Sequence, residues 1–141
     1  MILDKQNLFS DAQAITADAA STNTIDLGVP GTPVGAAAPL AQDVGLSDIP
    51  LLIQVVEAFA DLTSLTIKVQ TDDNTGFSSA KDVLTVTVPL ASLVAGYIAP
   101  IDRIPRGTTE RYLRLYYDVT GTSPTAGKIT AGVVAAVQSN D

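Results

Sequence analysis

The stretch Arg111–Gln138, "RYLRLYYDVTGTSPTAGKITAGVVAAVQ", decides the fold class, because it holds two alternating runs on either side of a turn-rich segment. Side chains alternate across an extended chain, so Leu113, Leu115, Tyr117 and Val119 share one face and Tyr112, Arg114, Tyr116 and Asp118 the other. The first face is the expected core side. The second run repeats the logic, with Ile129, Ala131, Val133, Ala135 and Val137 on one face. Its opposite face, Lys128, Thr130, Gly132, Val134 and Ala136, is unusually bland for solvent. Between the runs, "TGTSPTAG" (Thr120–Gly127) supplies the Gly and Pro that chain reversals need, so the expectation is an antiparallel hairpin with a medium loop.

Working outward, Leu65, Ile67 and Val69 alternate with Thr66, Lys68 and Gln70, and Leu84, Val86 and Val88 alternate with Thr85 and Thr87 before Pro89. These predict two more strands. "LLIQVVEAF" (Leu51–Phe59) is apolar on both faces and follows Pro50, which predicts a central strand covered on each side. Weaker segments at Asp11–Thr16, Thr24–Gly28 and Tyr97–Ile104 bring the total to about eight. "PLASLVAG" (Pro89–Gly96) reads as one helical or 3₁₀ turn, since Gly96 stops it almost as soon as Pro89 lets it start. The predicted fold class is all-β: a two-sheet β-sandwich, jelly-roll-like, with a long loop between the second and third strands. That loop, residues 28–50, is rich in Gly, Pro and Ala without a steady period, and it is expected, with the N-terminal segment 1–10, to act as a contact arm.

At 141 residues the chain is expected to form one domain. Hydrophobic residues make up 46% and charged residues only 16%, against about 25% charged in an average soluble domain. A charge-poor surface suits contact with other proteins. The net charge of −7 offers no basic surface to displace counterions from a phosphate backbone, so nucleic acid is not an expected partner. With no Cys and no His, thiol nucleophiles, disulfides and His- or Cys-based zinc sites are excluded. No segment approaches the roughly 18 uninterrupted apolar residues of a membrane-spanning helix, and the opening "MILDKQNLFSDAQ" has no signal-like apolar run, so no membrane is expected and synthesis is expected in the cytoplasm.

Candidate chemistry is thin. Ser78 and Lys81 form an S-x-x-K tetrad, but the S-D-N and K-T-G partners of penicillin-recognising enzymes are absent. "TDDN" before Gly76 gathers Asp72, Asp73 and Asn74 as a calcium loop can, yet it lacks the spaced ligands and closing Glu, and an ordinary strand-connecting turn accounts for the same residues. "GVPGTPVG" has no Lys-Ser/Thr ending with which to cradle phosphate. Acid pairs such as Asp4 with Asp11, or Asp43 with Asp48, are what fifteen acids in one chain produce by number alone. No catalytic residue, cofactor or metal is therefore assigned, and the chain is not expected to be an enzyme. Tyr112, Arg114 and Tyr116 stand out, because aromatic and Arg side chains are enriched where protein surfaces meet; a half-covered sheet face explains them equally well.

Taken together, "DKQNLFSDAQAITADAASTNTIDLG" (Asp4–Gly28), "VPLASLVAGYIAPIDRIPRGTTERYLRL" (Val88–Leu115) and the Arg111–Gln138 stretch resemble the small capsid cement, or decoration, proteins of tailed bacteriophages. The resemblance spans nearly the whole chain. It implies a β-rich, jelly-roll-like fold, a place on the outside of the phage head, and the major capsid protein as partner, with no catalysis. Self-association is a further expectation, a dimer being the simplest form. The rival reading is a carbohydrate-binding jelly-roll module of a virion fibre or secreted protein, which the absence of Trp weakens.

Overall fold

The two strands of the Arg111–Gln138 stretch do not pair with each other. The computed structural model describes residues 2–106 and 108–137. Within them lie nine strands: β1 (Leu3–Ala14), β2 (Ala19–Ala20), β3 (Ile25–Asp26), β4 (Ile49–Glu57), β5 (Leu62–Asp72), β6 (Lys81–Pro89), β7 (Arg103–Ile104), β8 (Tyr112–Gly121) and β9 (Lys128–Val134). One sheet, A, has the order β1-β9-β4-β7; the other, B, has β2-β8-β5-β6, with β3 also on β8. All these pairings are antiparallel.

Taking β2 and β3 as two pieces of one strand, first pairs with last, second with second-last, and so on inward to β5 with β6. That nesting is a long hairpin folded over on itself, the jelly-roll arrangement. The chain is thus an all-β sandwich, as the alternation predicts. The expected β8–β9 hairpin is corrected: β8 already has β5 on one side and β2 and β3 on the other, while β9 lies between β1 and β4. The Thr120–Gly127 segment is a crossover from sheet to sheet. Alternation fixes which face of each strand is apolar, and two apolar faces can meet across the sandwich as well as side by side.

The core rows confirm the faces. In sheet A, Leu51 lies opposite Val133, Ile53 opposite Ala131 and Val55 opposite Ile129. In sheet B, Leu65, Ile67 and Val69 lie between Val88, Val86 and Leu84 on one side and Val119, Tyr117 and Leu115 on the other. β-branched and aromatic side chains dominate these rows, as pleated, buried surfaces favour. A buried polar link crosses between sheets: the Tyr117 hydroxyl lies 2.8 Å from Ser10 Oγ, and both residues are fully buried. Ser10 Oγ also donates to Gln13 Oε1 at 2.7 Å. Burial pushes the Tyr117 phenol well above its ordinary pKa, so it stays protonated.

Two boundaries differ from expectation. The first strand, expected over Asp11–Thr16, reaches back to Leu3, so residues 3–10 of the expected contact arm are edge strand. Its register slips three times against β9, and Ala12 has a φ of 46°. Each slip is by an odd number of residues, which hides the strand from a period-two reading. The long loop separates the third and fourth strands, because the two-residue β2 carries no readable pattern. The connector is as expected, a single 3₁₀ turn at Leu90–Ser92.

Candidate interaction surfaces

Tyr112, Arg114 and Tyr116 lie side by side on the outer face of sheet B, each half-buried. Arg114 is held there by three neighbours. Its Nε donates to Gln70 Oε1 at 2.9 Å, and its guanidinium lies 4.1 Å from the Phe77 ring centroid and 5.3 Å from that of Tyr116. Gln70 in turn donates to Asp82 at 2.7 Å. Beside them, Lys68 pairs with Asp118 at 3.0 Å, and that hydrogen bond raises the lysine's pKa. At the strand's start, Arg111 grips Asp26 with two bonds of 2.7 and 2.9 Å and stacks 4.9 Å from the Tyr112 ring. This face is a ladder of satisfied polar pairs over aromatic rings, able to meet a partner without rearranging.

The Asp72 turn closes on itself. The buried Asp72 carboxylate accepts from Asn74 N at 3.1 Å and Nδ2 at 2.9 Å, and from Ser79 N at 2.8 Å and Oγ at 3.0 Å. Burial alone would raise its pKa; those donors outweigh burial and hold it at about 2. The Asp72 oxygens are thus spent on the turn, while Asp73 accepts from Asn74 Nδ2 at 3.3 Å. Ser78 accepts from Asn74 at 3.0 Å while Lys81 is paired with Glu110, so the S-x-x-K residues serve different neighbours. The acid pairs separate likewise: Asp4 accepts from Asn7, Asp43 from Gly45 N, and Asp48 from Arg106 N. Among the described residues, no group of three or more His, Cys, Asp or Glu is placed to hold a metal ion, and no helix is long and apolar enough to cross a membrane.

The long loop leaves the sandwich at Gly28 and returns at Ile49. Every residue from Gly31 to Ala41 is exposed, and Val34 is fully so, at 107% of its reference area. Val29, Leu40 and Leu46 are exposed as well. No charged side chain occurs from Gly28 to Gln42. The arm is nonetheless shaped: Leu40 N donates to Gly31 O at 3.0 Å, Ala36 N to Pro33 O at 3.0 Å, and Val44 N to Thr108 O at 3.2 Å. It is a compact loop whose ends are tied and whose apolar side chains face outward, the habit of binding loops.

Under the arm's root, the sandwich is open. A recess of about 300 Å³ lies between the sheets, walled by Ile25 and Leu113 from sheet B and by Ile49, Ile104 and Val133 from sheet A. Leu27 and Val44, at the two roots of the arm, complete the apolar wall, and Asn7 and Asp43 supply its polar atoms. Val133 faces the core yet stays half-exposed because this space is unfilled.

A protein-family model, Bbp16, matches residues 9–133, which takes in nearly every strand and the whole arm. The chain belongs to the Bbp16 family. That is a phage-type protein family. No curated protein matches the sequence.

In this Bbp16-family chain the sequence reading found the arm and the Tyr112 face but missed the recess. No run of residues signals it, since its lining comes from six strands and two loop ends. A second miss is the outer face of sheet A, where Leu8, Gly132 and Leu52 form one row. A side chain at 132 would begin 2.7 Å from Leu8 Cδ1, so glycine lets Leu8 lie flat across the sheet. The bland Thr130, Gly132, Val134 face was the signal.

Proposed function

We propose that this chain is a structural virion protein that binds the outer surface of a phage head and cements neighbouring major capsid protein subunits, stabilising the shell against packaged DNA. The observation that carries the reading is the arm: a loop with no charged side chain from Gly28 to Gln42 and with Val29, Val34, Leu40 and Leu46 exposed. Four large apolar side chains left exposed along one loop suit a surface that a partner covers. Membership of a phage-type family supports the setting. The acidic balance suits the exterior, since a protein facing packaged DNA would repel its phosphates.

On this reading the arm grips one subunit, and the Tyr112, Arg114 and Tyr116 face meets a second subunit or a sister copy, a dimer being the simplest arrangement. Each contact would bury roughly 800 Å² per partner. Two modest grips on one rigid body reinforce each other, because the first raises the effective concentration for the second. The protein works by adhesion and transforms no substrate.

The test uses the arm's own geometry. Because Leu40 already bonds to Gly31, residues 32–39 can be replaced by two glycines without separating the ends. Heads assembled with this variant, imaged by cryo-electron microscopy, should lack the protein and rupture at lower temperature. Full occupancy would show that the arm is not the grip, and wild-type protein missing from the outer wall would sink the reading.

A further inference from the structure

We propose that the recess under the arm is a socket for an arginine side chain supplied by a partner protein. The walls are apolar on both sheets and at both roots of the arm, so the occupant needs an aliphatic or flat apolar body. The polar atoms that remain are mainly acceptors. Asn7 commits one Nδ2 hydrogen to Asp4 Oδ2 at 2.6 Å, and its carbonyl oxygen accepts from no donor among the described residues. Asp43 accepts from Gly45 N with Oδ1 at 2.7 Å, and its Oδ2 accepts from no protein donor among the described residues. The occupant therefore carries hydrogen-bond donors at its far end.

Charge sharpens this to a cation. Of the acids around this end of the sandwich, Asp26 has Arg111 at 2.7 Å, Asp48 and Asp102 share Arg103 at 3.5 and 3.4 Å, and Asp4 is taken up by Asn7. Among the described residues Asp43 has none, and no basic residue lines the recess. Arginine fits better than lysine, because a planar fork can reach a carboxylate and a neighbouring carbonyl together, and a guanidinium sheds water more readily. Asp43 belongs to the returning root of the arm, so filling the socket would seat the arm as well. That the arginine comes from the capsid subunit rests on the virion reading above; the chemistry of the socket does not.

The test begins with the intact chain in solution and n-butylguanidinium as probe, beside n-butanol and butyrate. Amide shifts in two-dimensional NMR should cluster at Ile25, Leu27, Val44 and Leu113 for butylguanidinium, with affinity at least roughly tenfold above butanol, a difference typical of a charge-assisted bond. Asp43→Asn should erase that preference and leave weak butanol binding intact. Val44→Trp should plug the recess and abolish both, with folding checked by thermal melting. No localised shifts, or butyrate binding as well as the cation, would overturn the socket. On heads, folded Val44→Trp and Asp43→Asn proteins should show reduced occupancy. Occupancy equal to wild type for both would overturn the assignment of the arginine to the shell, whereas absence of the wild-type protein from heads would overturn the virion reading instead.

Discussion

The two ends of the sandwich are built to opposite standards. At one end Phe59, Leu62 and Leu93 are buried between the sheets, and Phe59 N and Ala60 N donate to Leu93 O and Ala126 O at 3.0 and 3.3 Å. Lys128 pairs with Glu57 at 2.6 Å across the rim. Gly127 packs so closely that a Cβ there would sit 2.3 Å from the Phe59 ring. At the other end, Val133, Ile49 and Val44 are only half-buried around the recess, and the arm leaves from its lip. One end stores stability; the other spends it on exposed apolar surface. On the proposed reading, the surface left uncovered in the free molecule is the surface to look at first.

The contrast can be broken most forcefully at the closed end. Phe59→Ala should lower the urea-unfolding free energy by about 3–5 kcal/mol; a loss below about 1 kcal/mol would mean that this end is as loosely packed as the other. Gly127→Ala should cost about 2–4 kcal/mol, because the new methyl meets Phe59 at a backbone φ of 136°, which side chains rarely adopt. Midway between the ends, Tyr117→Phe removes the hydroxyl that meets Ser10 and should cost about 1–2 kcal/mol, read from the shift in urea midpoint at constant slope. At the open end, Val44→Ala should cost less than about 1 kcal/mol, since the side chain is already half in water.

Acid adds a sharper probe on sheet B. The Asp72 carboxyl titrates near 2 when folded and near its ordinary 3.8 when not. Between those values the unfolded chain binds more protons, so stability falls as pH falls through that window. In Asp72→Asn, a urea-midpoint profile between pH 4 and 2 should be flatter than that of the wild type. An unchanged slope would mean that the Asn74 and Ser79 bonds do not hold the carboxylate in solution.

Alternation in β5, β6 and β8 made the buried faces legible, because in a regular strand the pattern of Leu65, Ile67 and Val69 or of Leu113, Leu115 and Tyr117 is the burial pattern. Neighbours were not legible. Nothing local tells β9 to lie between β1 and β4 rather than beside β8, since that choice depends on which edges are already taken. β1 was half hidden by its bulges. The arm announced itself through Gly, Pro and Ala without a period, and the Tyr112 face through residue type. The recess and the Ser10–Tyr117 link could not be read: the latter joins residues 107 positions apart, and both exist only once the sheets have met.

The placement of β9 sets a timetable for biosynthesis. β1 and β4 reach each other only through it, so sheet A stays two separate pieces until Val134 has left the ribosome. A growing polypeptide must hold β1 in reserve until β9 is translated, and a fragment released before that exposes apolar strand edges instead of a finished sandwich. Only copies translated past β9 can close sheet A.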